Sequence, residues 1–108
     1  MNHRQRTVMK LALLAVSAGC ASLPHARPED ATRAADRWPG TSVATLETDR
    51  ARYVAKCSGC HRLRLPEKYP AEKWTAYLDK MNDRAKLTPA DREQILRYLV
   101  TMAGRGRT

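Results

Sequence analysis

Five consecutive residues, Cys57-Ser58-Gly59-Cys60-His61, constrain this chain more than any other stretch. The two thiols lie about one helical turn apart, so both sulfurs can reach the two vinyl groups of one porphyrin. The histidine follows at once and can turn its imidazole onto the iron. A neutral imidazole donates one ring nitrogen to the metal while a hydrogen bond holds the other. The spacing predicts covalent attachment of one c-type haem, with Cys57 and Cys60 as thioether donors and His61 as proximal ligand. Two rival uses of the pattern fit less well. A zinc site wants four ligands, and adjacent Cys60 and His61 strain a tetrahedron. A thioredoxin-like dithiol wants a βαβ frame, and the pattern of the chain offers none.

Haem attachment through thioethers requires a compartment outside the reducing cytosol. Arg4, Arg6 and Lys10 form a positive leader without acidic residues, and Leu11–Ala18 is a short apolar run followed by small residues. That is the layout of an export signal, and the run is too short to span a bilayer. Cys20, the one cysteine outside the haem motif, stands in Ala18-Gly19-Cys20-Ala21, which resembles a bacterial lipobox. Ser17 departs from the leucine usual at that position, and plain signal cleavage is the competing reading. The expectation is a lipidated Cys20 in a periplasmic protein, with Ala21 favouring the outer membrane. Each buried CH₂ of an acyl chain contributes about 0.8 kcal/mol to anchoring.

The chain carries 20 Lys plus Arg against 11 Asp plus Glu in 108 residues. Without residues 1–19 the balance is 17 to 11, a net of +6. Outside the cytosol a basic surface makes nucleic acid a poor target. It fits an acidic docking surface on a redox partner or an anionic lipid surface, where complementary charge mainly speeds encounter. It equally fits a solvated surface with no partner.

Three segments follow from the pattern: a signal over 1–19, a flexible tether over 20–45 and a haem domain over 46–105. The tether holds Pro24, Pro28 and Pro39 and shows no hydrophobic period. A short helix over Pro28–Arg37 is compatible with its charge order. The domain is small for a core of its own, and a covalent porphyrin would supply the missing interior. No strand or hairpin signal is present, so the expected fold is all-α with about three helices. The first runs over about Thr48–Lys56. The second covers about Ala71–Asn82, with Trp74, Tyr77, Leu78 and Met81 on one face. The third covers about Pro89–Ala103, capped by Thr88 and burying Ile95, Leu96, Leu99 and Met102. Beyond Gly104 the tail is expected to fray.

A thioether sulfur is a common sixth ligand of such an iron and favours electron carriage. Met81 is the candidate; the competing reading is a core methionine filling a gap. Met102 is assigned to packing. His25, in the tether, would lose chain entropy on reaching the iron. Arg62, Arg64, Arg84 and Lys86 are near enough in sequence to meet haem propionates, and Trp74 and Tyr77 to pack on the ring.

The order of Cys57–His61, Lys80-Met81, Leu87-Thr88 and Ile95-Leu96-Arg97-Tyr98-Leu99 resembles the small monohaem cytochromes c over about residues 48–100. The 17 residues from Met81 to Tyr98 match that family's spacing. The resemblance implies that the first and last helices cross near the haem edge, bringing Tyr53 and Val54 toward Leu96 and Leu99. It also implies a carbonyl acceptor for the proximal histidine. The usual Gly-Pro step is missing, which leaves Pro66 as the candidate for that role. The function implied is electron transfer through iron cycling between Fe(II) and Fe(III), by a carrier and not an enzyme. Two alternatives remain: a haem enzyme or gas-binding protein with an open distal site, or the haem subunit of a larger dehydrogenase.

Overall fold

The computed structural model describes residues 22–59 and 62–105, and over these the protein is all-helical. Four α-helices occur among the described residues: α1 (Pro28–Arg37), α2 (Val43–Cys57), α3 (Ala71–Met81) and α4 (Pro89–Ala103). A 3₁₀ turn, Pro66–Lys68, lies between α2 and α3.

The helix α4 is set by local chemistry. Thr88 Oγ1 accepts from the Asp91 N–H at 3.0 Å, and Asp91 Oδ2 accepts from the Thr88 N–H at 3.1 Å. This reciprocal cap satisfies donors that a helix start otherwise leaves unpaired, and Pro89 occupies the first helical position, where no donor is needed. Ile95, Leu96, Leu99 and Met102 are buried as their spacing requires, and Tyr98 joins them. The helix is the centre of the bundle: α2 and α3 pack on it most extensively, and the 3₁₀ turn packs on it as well. Trp74 and Leu78 bring α3 into the same core, while Tyr77 and Met81 are half-buried. Tyr53 enters from α2, its ring 6.2 Å from that of Tyr98.

The helix α2 starts earlier than Thr48. Ser42 Oγ accepts from the Thr45 N–H at 3.1 Å, and Thr45 Oγ1 accepts from the Ser42 N–H at 3.1 Å. This cap begins the helix at Val43 and buries Leu46 completely. The apolar stripe is then interrupted by Asp49, which is also fully buried. Arg97 of α4 answers it with two bonds, Nε to Oδ2 at 2.6 Å and Nη2 to Oδ1 at 2.8 Å.

The expected flexible tether does not describe residues 22–45. Leu23 is buried in the core cluster, and the four residues 23–26 are each fixed through the backbone. Arg50 donates to the Leu23 carbonyl (3.2 Å), Tyr98 to that of Pro24 (2.7 Å) and Arg105 to that of His25 (2.6 Å), while Glu47 accepts from the Ala26 N–H (2.8 Å). The α1 helix follows, with Glu29 and Asp30 in its first turn and Arg37 in its last, as its macrodipole favours. Asp30 is buried and accepts from Arg33 and Arg105. The fraying expected after Gly104 therefore does not extend to Arg105. The segment lacks an apolar period because charge pairs and backbone bonds, not a hydrophobic stripe, hold it.

Candidate functional site

Cys57 is the last residue of α2. Ser58 caps the helix, its N–H donating to the Val54 carbonyl, and Gly59 follows, where a Cβ would meet no described residue beyond its chain neighbours within 4 Å. Cys60 and His61 lie outside the described residues, as does Cys20. The chain resumes at Arg62, and Tyr53 grips it two residues later. The Tyr53 hydroxyl donates to the Arg64 carbonyl at 2.7 Å and accepts from the Arg64 N–H at 3.1 Å. Burial pushes this phenol well above its usual range, so it stays neutral and acts through its hydrogen bonds.

A cavity of about 300 Å³ opens where α2, the Arg64 loop and the end of α3 meet. Tyr53, Tyr77, Leu78, Met81 and Ala85 give it an apolar lining; Cys57 stands in its wall, and Lys56, Arg64 and Arg84 supply positive charge. Met81, the last residue of α3, thus lines the same cavity as the first cysteine of the motif. The chain beyond Met81 is turned sharply: Leu87 N–H donates to the Asn82 carbonyl and Lys86 N–H to that of Asp83, with Lys86 itself at φ 53. This is the arrangement that ends helices through one left-handed residue. It returns the chain to the core at Leu87, which is buried.

The neighbouring polar groups have defined partners. Arg64 Nε donates to the Tyr77 hydroxyl at 2.7 Å, and its guanidinium lies 5.4 Å from that ring's centre. Trp74 is fully buried, and its indole N–H donates to the Pro66 carbonyl at 2.8 Å. Trp74 does not line the cavity; the Pro66 carbonyl, expected as acceptor for the proximal histidine, accepts this bond and keeps a second lone pair. His25 Nδ1 lies 3.0 Å from Glu47 Oε2. Of the four cations expected near a porphyrin, Arg64 and Arg84 line the cavity. Lys56 lines it as well, and its place directly before Cys57 on α2 is the sequence signal for that position.

A flat apolar ring with two carboxylates and an iron suits such a lining. The aromatic and aliphatic side chains match the ring, the three cations match the carboxylates, and a thiol and a thioether share the walls. The volume falls at the lower end of small-molecule pockets. The residues present fit a haem.

A family model described as dihaem cytochrome c matches residues 53–108. The match begins at Tyr53 and takes in the haem motif, α3 and α4. No curated protein and no solved structure matches the chain. The matched family is of dihaem type, where the motif order resembles the small monohaem cytochromes, and these 108 residues contain a single C-x-x-C-H. With more than half of its length matched, the chain belongs to the dihaem cytochrome c family, and is a c-type cytochrome.

Proposed function

We propose that the protein is an electron carrier with one covalent haem per chain, held at a membrane outside the cytosol. The observation that carries this reading is the meeting of Cys57 and Met81 in one cavity. A haem bound there supplies reversible one-electron chemistry at its iron. Cys57 and Cys60 would hold it by thioether bonds, and His61 and Met81 would supply the nitrogen and sulfur that bind its iron. The cysteines support a count of one: beyond Cys57 and Cys60 these 108 residues have only Cys20.

The side chains of the cavity then have separate tasks. Lys56, Arg64 and Arg84 neutralise carboxylates that would otherwise face an apolar lining. Tyr77 orients Arg64 through its hydroxyl, and Tyr53 fixes the backbone of the same residue. Tyr77 and Leu78 exclude water from the ring. No acid, base or nucleophile array is needed for this task, and the protein's contribution is binding, ligation and charge. The basic surface favours a partner with an acidic docking face. Cys20 carries the lipid that holds the protein to the membrane, with the outer membrane favoured.

Optical spectra of the exported protein, oxidised and reduced, with and without carbon monoxide, test this reading. Low-spin spectra in both states that carbon monoxide leaves unchanged are expected. Rapid carbon monoxide binding would mean an open sixth position and overturn the Met81 assignment. Replacing Cys20 by Ser should release the protein from lipid; unchanged lipid-anchored retention would count against acylation.

A further inference from the structure

A second concavity, of about 1070 Å³, lies beside the haem cavity and shares Arg64 with it. Neither Cys57 nor Met81 lines it. Four cations do, Arg50, Arg62, Arg64 and Lys68, against the single acid Glu67. Ser22 and Leu23 form one of its edges. We propose that this groove is the membrane-facing surface of the protein and takes the anionic headgroups of the bilayer to which the chain is anchored.

Besides Arg64, which the haem site shares, the groove has three cations against one acid, a balance that fits anionic headgroups and an acidic protein alike. Connectivity selects lipid. Cys20 precedes Ser22 by two residues, a reach of at most about 7 Å in extended chain. From Leu23 onward there is no slack, because Arg50, Tyr98, Arg105 and Glu47 fix the backbone of residues 23–26. An acyl chain on Cys20 therefore cannot suspend the domain at the end of a tether. It seats the domain against the bilayer with the edge formed by Ser22 nearest to it.

This inference rests on the lipid-anchor reading, and one experiment separates the two. The whole exported, haem-loaded protein is placed in detergent, in phosphatidylcholine vesicles and in phosphatidylcholine vesicles containing phosphatidylglycerol. It is then treated with a membrane-impermeant amine-acylating reagent. Peptide mass spectrometry reads the labelling rates of Lys68, in the groove, and of Lys73 and Lys80, which line a different concavity with Tyr69 and Tyr77. Phosphatidylglycerol should slow Lys68 labelling about fivefold or more relative to detergent, as surface cations on anionic lipid require, and leave Lys73 and Lys80 unchanged. Equal Lys68 labelling in all three media would overturn the proposal and leave the groove to an acidic protein. Equal protection in both kinds of vesicle would overturn the anionic-headgroup assignment. The same spectra report the mass of the Cys20 peptide, so a missing acyl chain is seen independently of what the groove does.

Discussion

Cys57 closes α2 and Met81 closes α3, and the two side chains line one cavity although 24 positions separate them in the chain. The relationship carries the ligand assignment, and it has a direct consequence. Met81→Ala should leave the haem covalently attached, because the thioether bonds are elsewhere. It should abolish the weak red absorption of oxidised haem ligated by a thioether, and it should admit carbon monoxide to the reduced protein. Retention of that band in Met81→Ala would assign the sixth position to another group.

The α2–α4 crossing rests on an ion pair as well as on apolar packing. Asp49 is fully buried, and Arg97 meets it at 2.6 and 2.8 Å. Burial pushes the Asp49 carboxyl up, against the lowering effect of Arg97. Removing only the guanidinium strands a charge in the core. Arg97→Met should cost about 3–5 kcal/mol in urea unfolding of the haem-loaded protein. Asp49→Leu combined with Arg97→Met should recover most of that loss, since an apolar pair needs no desolvation. A double variant as unstable as the single one would show that the pair is required for the crossing itself.

Acid should loosen α1 before it affects the rest. Burial alone would raise the Asp30 carboxyl, but the bonds from Arg105 and Arg33, with the Arg27 N–H, outweigh it and hold the group well below the usual carboxylate range. A carboxyl depressed in the folded state stabilises it above the ordinary carboxylate pKa, about 4, and that stability is lost as the pH falls below this value toward the folded one. Hydrogen-exchange protection of residues 28–37 should therefore decline below about pH 4, ahead of that of α4. Asp30→Asn should show weakened protection at neutral pH and no further acid-dependent loss. Equal acid sensitivity in the variant would assign the effect to another carboxylate.

Lys86 sits in the left-handed region, φ 53, where a side chain is strained and glycine is not. Lys86→Gly relieves that strain at the cost of a freer unfolded chain, and a net stabilisation of up to about 1 kcal/mol is expected. Thermal unfolding of the haem-loaded protein measures it. A destabilised variant would mean that the Lys86 side chain makes a favourable contact that outweighs its backbone strain.

What could be read from the sequence was what short-range chemistry controls. The α4 helix matched its expected span because Thr88, Pro89 and Asp91 cap it and because Ile95, Leu96, Leu99 and Met102 keep the helical period. The start of α2 is marked locally by the Ser42–Thr45 cap, but Asp49, whose partner lies 48 residues away, breaks the apolar stripe that would extend the helix back to it. The α1 helix is legible in the charge order of Pro28–Arg37, but its docking onto the bundle is not. Its anchor, Asp30 to Arg105, spans 75 residues and leaves no periodic trace. At the site, Cys57 is legible from the motif and Met81 from its place on the apolar face of α3 and its spacing to Tyr98. The grip of Tyr53 on Arg64 and the Trp74–Pro66 bond depend on how the 62–70 loop folds back over α2 and α3, which no local pattern encodes.

The haem itself is the most direct test. The exported protein, made in a host that attaches c-type haem, should have an intact mass greater than the polypeptide by one haem, and digestion should find that haem on the peptide containing Cys57 and Cys60. Polypeptide mass alone, in a protein that is otherwise folded and exported, would contradict the assignment of this cavity as a haem site.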